Sequence, residues 1–438
     1  MARREDDSRA RDFDRHLPAT RPMNACGVDF GTSNSGVSIP ENASVRLAAI
    51  EGSATSMPSA VFFALDDAQP ALYGRAAVDE YLDGTPGRLM RSLKSVLGSS
   101  LMHESTALGS RSIVYSDILT LYLRTLRERA SENTGTDLDA VVLGRPVHFD
   151  DDDADRDRDA QATLEACARA AGFREVEFQL EPIAAAFDYE RTIDREEIVL
   201  VIDVGGGTAD FTVIRLSPAR RHLASRSEDV LANDGVHIAG TDFDSRLNLS
   251  WIMPTLGYRS VGPKGLVVPS GVFFDLSTWH RINLLYAPRF LGTLRELQPF
   301  FADATLYRRL MRVIDERLGH RLLGETEAAK IELSEVARTL IDLGRIEAGL
   351  VVPARRSELI ELLDDLLARL VRTGQSTIAA ASVASADIST IYFTGGSSGM
   401  SALRDAFGKA FPQSRVVVGD LFGSVVSGLG IDAGRRFG

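Results

Sequence analysis

Residues 25–39 read ACGVDFGTSNSGVSI, and this stretch decides the fold. An apolar strand ends in an acidic residue, Asp29, and a polar turn bounded by Gly31 and Gly36 follows it. The apolar pattern resumes at 37–39, as expected for the returning strand of a hairpin. The stretch therefore predicts a β-hairpin whose tip is rich in hydroxyl groups.

The same order of residues occurs again about 175 residues later, at 198–214, IVLVIDVGGGTADFTVI. An apolar strand again ends in an acid, Asp203, and a glycine–threonine turn leads into a second strand. Two copies at this distance indicate a duplicated α/β lobe rather than an array of short repeats. Hydrophobic periodicity predicts further helices over 110–131 and most of 310–375, and strands at 141–147 and 391–394.

Two such hairpins facing each other suit a polyphosphate ligand. Glycine lets backbone N–H groups come close to phosphate oxygens, and hydroxyl side chains add donors. A carboxylate at the end of each strand, Asp29 or Asp203, can hold Mg²⁺ through its waters. The pair of hairpins therefore predicts a nucleotide-binding cleft between two lobes.

Composition and charge exclude several classes of function. The 438 residues include 49 basic and 61 acidic side chains, and the net charge of −12 argues against nucleic-acid binding. Two cysteines suit a reducing compartment, and the sequence has no zinc-hydrolase motif and no uncharged run of transmembrane length. Residues 1–22 are predicted to be a disordered tail, not a secretory signal. The expected location is the cytoplasm, with no membrane partner.

Two further motifs have competing interpretations. The stretch GGSSG at 395–399 matches the nucleophile elbow of α/β-hydrolases, but no histidine follows it, so Ser397 lacks a triad partner in the required order. We interpret it as a glycine-rich turn close to a ligand. The acidic run 150–159 is interpreted as the first turn of a helix ending near Ala171, and not as a metal site. The sequence has neither a P-loop nor a Rossmann motif.

From residue 24 onward the chain resembles the ATPase domain of the 70-kDa heat-shock chaperones, within the actin-like superfamily. The matching motifs, in the family's order, are 27–35, 91–94, Pro146, 181–186, 203–210, 240–246, 327–334 and 395–397. They include two phosphate motifs, a catalytic-lysine segment and an adenosine motif. The overall pattern resembles that of the short YegD-like proteins, which lack the family's peptide-binding domain.

Several features depart from the family pattern. The peptide-binding domain and its hydrophobic linker are not found, and residues 247–325 are far longer than their counterpart. Gly399 stands where the family usually has an arginine against the adenine, which predicts weaker binding of the base, and Thr241 replaces an acid. The long segment holds both tryptophans, Trp251 and Trp279. We expect it either to enlarge the second lobe or to bind a protein partner.

The resemblance implies an α/β fold of two duplicated actin-like (RNase H-like) lobes, each with a five-stranded sheet, around an interlobe nucleotide cleft. Lobe I is expected at 23–196, with a subdomain at about 45–115. Lobe II is expected at 197–419, with an enlarged subdomain at about 241–355. Residues 420–438 are expected to return to lobe I.

The resemblance also implies roles for individual residues. Asp29, Asp203 and Glu181 would hold Mg²⁺, partly through water, and K⁺ is a further candidate ion. Lys94 would neutralise charge on the γ-phosphate, and with Thr208 and the three carboxylates it forms the expected catalytic set. Contacts to ATP or ADP are implied for Gly31, Thr32, Ser33, Asn34, Gly205, Gly206, Gly207, Thr208, Gly240, Glu327, Lys330, Ser334, Gly395, Gly396 and Ser397.

Three functions remain open from the sequence. The favoured one is a chaperone-like protein that binds ATP, hydrolyses it slowly with Mg²⁺ and switches by lobe rotation, because the chaperone-type motifs are present, Lys94 included. The alternatives are a small-molecule kinase of the same superfamily, for which no acceptor base is identified, and a nucleotide-dependent scaffold that does not hydrolyse ATP. Slow phosphate release without an acceptor would favour the first.

Overall fold

The computed structural model describes residues 23–438 apart from 42–43, 67–68, 109–110, 151–152, 222, 224–225, 264 and 287. The predicted tail, residues 1–22, lies outside the described residues.

The first half of the chain alternates strands and helices. Its elements are β1 (Ala25–Phe30), β2 (Asn34–Glu41), β3 (Ser44–Leu47), β4 (Ser56–Pro58), β5 (Ala60–Ala64), β6 (Leu72–Tyr73), α1 (Arg75–Leu82), β7 (Gly87–Arg91), β8 (Ser105–Leu108), β9 (Arg111–Val114), α2 (Tyr115–Thr134), β10 (Ala140–Arg145), α3 (Ala154–Ala170), β11 (Glu175–Leu180) and α4 (Glu181–Glu190).

The second half repeats this alternation with more helix. Its elements are β12 (Glu197–Val204), β13 (Ala209–Leu216), β14 (Val230–Val236), α5 (Gly240–Trp251), α6 (Gly271–Leu276), α7 (Ile282–Leu285), α8 (Pro288–Arg295), α9 (Ala304–Asp315), α10 (Gly319–Glu332), β15 (Arg338–Asp342), β16 (Val351–Arg355), α11 (Arg356–Ala380), β17 (Thr390–Thr394), α12 (Ser401–Ala410), β18 (Arg415–Val418) and α13 (Ser424–Phe437).

The two main sheets have the same topology. In the first, the strand order is β11-β10-β1-β2-β3, and in the second it is β18-β17-β12-β13-β14. In each sheet three strands run as an antiparallel meander, and two strands add in parallel on the other side. The predicted fold class, two duplicated α/β lobes, is confirmed.

Both predicted hairpins are formed at corresponding places in the two sheets. Strands β1 and β2 pair antiparallel with Asp29 opposite Gly36, and β12 and β13 pair with Asp203 opposite Asp210. Because β1 and β12 are central strands, both acids lie at the ends of buried strands. The register therefore carries the two acidic side chains to equivalent edges of the two sheets.

Helices α4 and α13 form a core of their own that contacts both sheets. It joins Ala184 and Leu429 to strand residues of the first sheet, such as Val142, and of the second, such as Val201. The helices cross so closely that a side chain at Gly428 would clash with the backbone of Ala184. Two larger cores fill the outer faces of the sheets.

Two expectations about secondary structure were wrong in detail, and a third was incomplete. The helix expected from 110 begins at Tyr115, because 111–114 form β9, which pairs with β8. The stretch 310–375 is mostly helix, as predicted, but β15 and β16 form a hairpin inside it. The first sheet has six strands rather than five, because β4 also pairs with β2. Each of these differences arises from pairing between strands, and helical periodicity does not reveal such pairing.

The described part of the acidic run 150–159 leads into and forms the first turn of α3, as predicted. Asp153 is the N-cap of α3, and its side chain accepts hydrogen bonds from the backbone N–H groups of Asp155 and Arg156. Carboxylates at this end of a helix also interact favourably with its dipole. None of the helices among the described residues is both long and apolar enough to cross a bilayer.

Candidate functional site

A cavity of about 620 Å³ lies between the two sheets, at the edge where both hairpins turn. The sequence-predicted residues that line it are Asp29, Gly31, Thr32, Ser33, Asn34, Lys94, Glu181, Asp203, Gly205, Gly206, Thr208, Gly240, Glu327, Lys330, Ser334, Gly395, Gly396 and Ser397. Gly207 does not line the cavity, but faces Thr32 in the opposite hairpin tip. The fold thus brings segments up to 370 residues apart into one cleft.

The tips of the two hairpins touch each other. A side chain at Gly206 would clash with the hydroxyl of Ser33, and one at Gly31 would clash with the carbonyl of Asn34. Glycine at these positions therefore allows both the tight turn and the close approach of the tips. Backbone N–H groups in glycine turns of this kind can bind an anionic ligand.

Lys94 and Glu181 form a buried ion pair in the floor of the cleft. The Nζ of Lys94 donates to Oε1 of Glu181, with Lys94 8% and Glu181 6% exposed. Glu181 is held in place because it is the first residue of α4, followed by Pro182. Burial disfavours the ammonium group, but the charges of Glu181 and Asp29 outweigh burial and raise the pKa of Lys94.

The acidic side chains around this pair repel one another. Burial and the charge of Glu181 raise the pKa of Asp29 to about 7, although Lys94 opposes the shift. Burial, Glu181 and Asp210 likewise raise the pKa of Asp203 well above its ordinary range. A buried cluster with more acids than bases is short of positive charge, and a divalent cation would supply it.

The donor set therefore fits Mg²⁺, which prefers carboxylate oxygens and water. Across the described residues, however, no three His, Cys, Asp or Glu side chains are grouped so as to bind one metal ion directly. Binding of Mg²⁺ by Asp29, Asp203 and Glu181 through water stays a prediction.

Asp210 links the two lobes. Its Oδ1 accepts a hydrogen bond of 2.7 Å from the backbone N–H of Val147, and its Oδ2 accepts one from Thr208. Burial, with the charge of Glu181, raises its pKa to about 7. Val147 directly follows Pro146, so the glycine turn 205–208 is coupled to the end of β10. No sequence pattern predicted this pairing, because it joins different lobes.

Polar groups of the second lobe hold the glycine turn 205–208 in place. The hydroxyl of Thr241 donates to the carbonyl of Gly206, and that of Ser397 donates to the carbonyl of Gly205, each at 2.7 Å. Ser397 therefore positions the turn, in agreement with our rejection of a hydrolase triad. Thr241, which replaces an acid of the motif, therefore helps to hold the turn through its hydroxyl group.

Lys330 lies beside an acidic partner that sequence reasoning did not single out. Its Nζ is 2.8 Å from Oδ1 of Asp244, and both side chains are largely buried at the cleft wall. Burial raises the pKa of Asp244 to about 6, although the charge of Lys330 opposes the shift. Asp244 lies on α5 and Lys330 on α10, so no local sequence pattern could predict that they pair.

One side of the cleft is closed by a contact between the lobes, which we call the Trp279 contact (Tyr81, Arg91, Trp279 and His320). Trp279 packs against an apolar cluster of the first lobe that includes Phe62, and the Arg91 guanidinium lies 4.4 Å from its ring centre. Tyr81 and His320 share a hydrogen bond of 2.7 Å. The long segment 247–325 thus reaches across to the first lobe.

His320 makes the Trp279 contact sensitive to acid. Burial lowers its pKa to about 4; the hydrogen bond to the Trp279 carbonyl opposes this and the charge of Arg91 adds to it. The unfolded chain takes up this proton near pH 6.5, so folding stability is lost as pH falls from about 6.5 towards 4, by up to ~1.4 kcal/mol per pH unit. We expect urea unfolding at pH 7, 6 and 5 to show a steeper loss for wild type than for His320→Gln.

The control is His103→Gln, which changes an exposed histidine. Parallel pH dependences of wild type and His320→Gln would contradict the role of His320.

A family model described as Hsp70 protein matches residues 105–255 and 307–418. The stretch between them falls inside the long segment 247–325, which the sequence singled out as unlike the family.

Curated relatives extend the similarity over most of the chain. A protein named Chaperone protein HscA homolog, from Cupriavidus taiwanensis, is 28% identical over 417 residues, covering 89% of this chain and 54% of its own length. Chaperone protein DnaK from Halobacterium salinarum is 26% identical over 403 residues, covering 91% and 52%. Chaperone protein HscA from Edwardsiella ictaluri is 31% identical over 265 residues, covering 55% and 39%. The chain spans about half the length of the curated relatives it matches.

Proposed function

Since the chain belongs to the Hsp70 family, we propose that it binds ATP with Mg²⁺ in the cleft and hydrolyses it slowly, as the nucleotide-controlled part of a chaperone-like protein. The observation that carries the proposal is the lining of one cavity by both glycine turns, the buried Lys94–Glu181 pair and the strand-end acids Asp29 and Asp203. Phosphoryl transfer needs mainly positioning and charge neutralisation, and this set can supply both.

We assign a role to each residue of the cleft from the chemistry of its polar groups. The backbone N–H groups of the turns at 31–34 and 205–208 bind the phosphates, and Asn34 and Thr208 add donors. The carboxylates of Asp29, Asp203 and Glu181 hold the waters around Mg²⁺. Mg²⁺, when bound, neutralises charge on the phosphate oxygens. Lys94 lies next to these acids and can donate to the γ-phosphate.

Nucleotide control would act through the two lobes, at about 23–196 and 197–419, with 420–438 returning to the first. The shared α4–α13 core and the Asp210–Val147 hydrogen bond support such coupling, because both join the two halves. A rigid-body rotation about a packed interface is a common form of such a switch.

A protein partner bound by 247–325 stays part of the proposal. The segment exposes several large apolar side chains, which supports an interaction surface. They are Val261, Leu266, Val267, Phe274, Leu284 and Phe300.

The experiment is isothermal calorimetry with ATP and ADP, with and without Mg²⁺, followed by phosphate-release assays without any acceptor. We expect binding that needs Mg²⁺ and slow, acceptor-independent release of phosphate. Absence of binding to both nucleotides with Mg²⁺ present would overturn the proposal. Phosphate transfer that requires an added metabolite would instead favour a kinase.

A further inference from the structure

Arg91 is a charged side chain of the cleft wall whose guanidinium has no hydrogen-bonding partner. It lies at the end of β7, lines the cavity and is partly buried, but its guanidinium makes no hydrogen bond or ion pair with any residue that the structure describes. The two lysines that line the same cavity, Lys94 and Lys330, are paired with Glu181 and Asp244. A partly buried cation is costly unless a ligand or water meets its donors, so Arg91 is free to bind an anion.

The ring of Trp279 fixes the position of this guanidinium. The Cζ of Arg91 lies over the indole, 4.4 Å from the ring centre. Trp279 is itself held, because its ring packs on an apolar cluster of the first lobe and its carbonyl shares a hydrogen bond of 3.0 Å with Nε2 of His320. A guanidinium stacked on an aromatic face keeps its in-plane N–H groups free to donate. Those groups form a fork that matches two oxygens of a carboxylate or a phosphate.

The backbone turns sharply directly after Arg91. Ser92 has a φ of 59°, in the left-handed region, and leads from β7 into the 3₁₀ turn Leu93–Val96. A residue with a Cβ adopts this conformation at a cost, and here it lets Arg91 and Lys94 line the same cavity. One wall of the cleft therefore has a cation already neutralised by an acid, Lys94, and a cation that is not, Arg91.

Part of the cavity wall near Arg91 belongs to the segment 247–325. Residues 277–280 line the cavity, and they lie in the stretch between 255 and 307 that has no match in the family model. Ser277 is buried, and its hydroxyl donates to Oδ1 of Asn248 at 2.8 Å, which fixes this loop to α5. The compartment beside Arg91 thus includes a wall that the matched regions do not supply.

Two acids near Arg91 limit the kind of anion that fits. Burial lowers the pKa of Arg91, and the charges of Glu327 and Asp244 oppose this shift. Asp244 is neutralised by Lys330, 2.8 Å away, whereas Glu327 makes no ion pair with a described residue. A nearby carboxylate repels a ligand with many negative charges. The surroundings therefore favour a small molecule with one oxyanion group and a polar, uncharged body.

We propose that Arg91, held on the ring of Trp279, binds the carboxylate or phosphate group of a second small molecule beside the nucleotide. This site goes beyond the proposed function, in which neither Arg91 nor Trp279 has a role. The terminal phosphate of a nucleotide has the same chemistry as a small phosphate ester, so the two sources of the oxyanion have to be separated by experiment.

Calorimetry with glycerate and with glycerol 3-phosphate tests the proposal, without nucleotide and with saturating MgADP. We expect wild type to bind at least one of the two, with a Kd of about 1 mM or tighter in the presence of MgADP. Arg91→Ala should bind it at least about 10-fold more weakly, because a charge-assisted pair of hydrogen bonds is lost. Arg91→Lys should lie between the two, since an ammonium group keeps the charge without the fork.

Arg295→Ala is the matched control, because Arg295 is an exposed arginine at the end of α8 and lies outside the cavity. It should bind both probes like wild type. Glycerol, which has the hydroxyl groups without the oxyanion, should not bind measurably to any of the proteins. Thermal unfolding without ligand shows whether each variant is folded, and Arg91→Lys keeps the test valid if Arg91→Ala is not.

The outcomes separate this site from the proposed function. Failure of wild type to bind either probe at 10 mM, a roughly tenfold excess over the expected Kd, overturns the proposal whether or not MgATP binds. Equal affinity of wild type and Arg91→Ala for the probes also overturns it. If neither probe binds and Arg91→Ala weakens binding of MgATP but not of MgADP, the oxyanion is the terminal phosphate of the nucleotide, and there is no second molecule. Absence of MgATP binding to wild type, with binding of a probe intact, overturns the proposed function alone.

Discussion

Replacing Lys94 with alanine is expected to reduce the rate of ATP hydrolysis by at least about 100-fold and to leave ATP bound. One preorganised donor aimed at developing charge in a buried site contributes on the order of 100- to 1,000-fold to kcat. The proposed function makes Lys94 such a donor, since burial and its contact with Glu181 fix its ammonium group at the floor of the cleft. The backbone N–H groups that we propose to bind the phosphates are unchanged by the substitution.

Single-turnover phosphate release and calorimetry measure the two effects separately. Lys409→Ala is the matched control, because Lys409 lies outside the cleft. Loss of Lys94 leaves the buried Glu181 without its partner, at a cost of roughly 3–5 kcal/mol, so unfolding curves must first show that the variant is folded. Hydrolysis at the wild-type rate would remove Lys94 from the mechanism.

Replacing Asp203 with asparagine is expected to abolish hydrolysis and to stabilise the metal-free protein. Burial and the charges of Glu181 and Asp210 raise the pKa of Asp203, which means that its carboxylate is held in an unfavourable environment. Asparagine has nearly the same shape without the charge, so it removes repulsion among the acids. We expect a melting temperature in EDTA that is roughly 2–5 °C higher than that of wild type.

Thermal unfolding in EDTA and in Mg²⁺ with ATP measures this change. The stabilisation by MgATP that we expect for wild type should be smaller or absent in Asp203→Asn. Asp315→Asn, an exposed aspartate at the end of α9, serves as the control and should change neither value. A lower melting temperature of Asp203→Asn in EDTA would show that the carboxylate stabilises the fold without metal.

Local sequence patterns were enough to predict the central hairpins. The strands β1 and β12, their terminal acids and the glycine turns follow from short apolar runs and turn residues, which encode their own conformation. The repetition of this pattern also indicated the duplicated lobe. The start of α2 was misjudged and the β15–β16 hairpin was not predicted, because pairing between neighbouring strands leaves no helical periodicity.

The cleft walls were less predictable than the turns. Asp244 pairs with Lys330, which is far from it in the sequence. Phe422 lies against Gly396, which belongs to a different loop. The segment 247–325 was expected to enlarge the second lobe or to bind a partner, and the packing of its Trp279 on the first lobe was not foreseen. Such contacts are set by tertiary packing, for which the sequence has no periodic signal.

Helix α13 has a consequence for the order in which the protein can be made. Residues 424–437 cover β1, β2 and β10, and at Gly27 the helix lies directly on the backbone of β1. The ribosome finishes β1 about 400 residues before it finishes α13, which at about 5–20 residues per second takes roughly 20–80 seconds. During that time the part of the first sheet that α13 covers is without this helix. The first lobe is thus the first to be synthesised and the last to be completed, and the nascent chain leaves this apolar surface uncovered by α13 throughout.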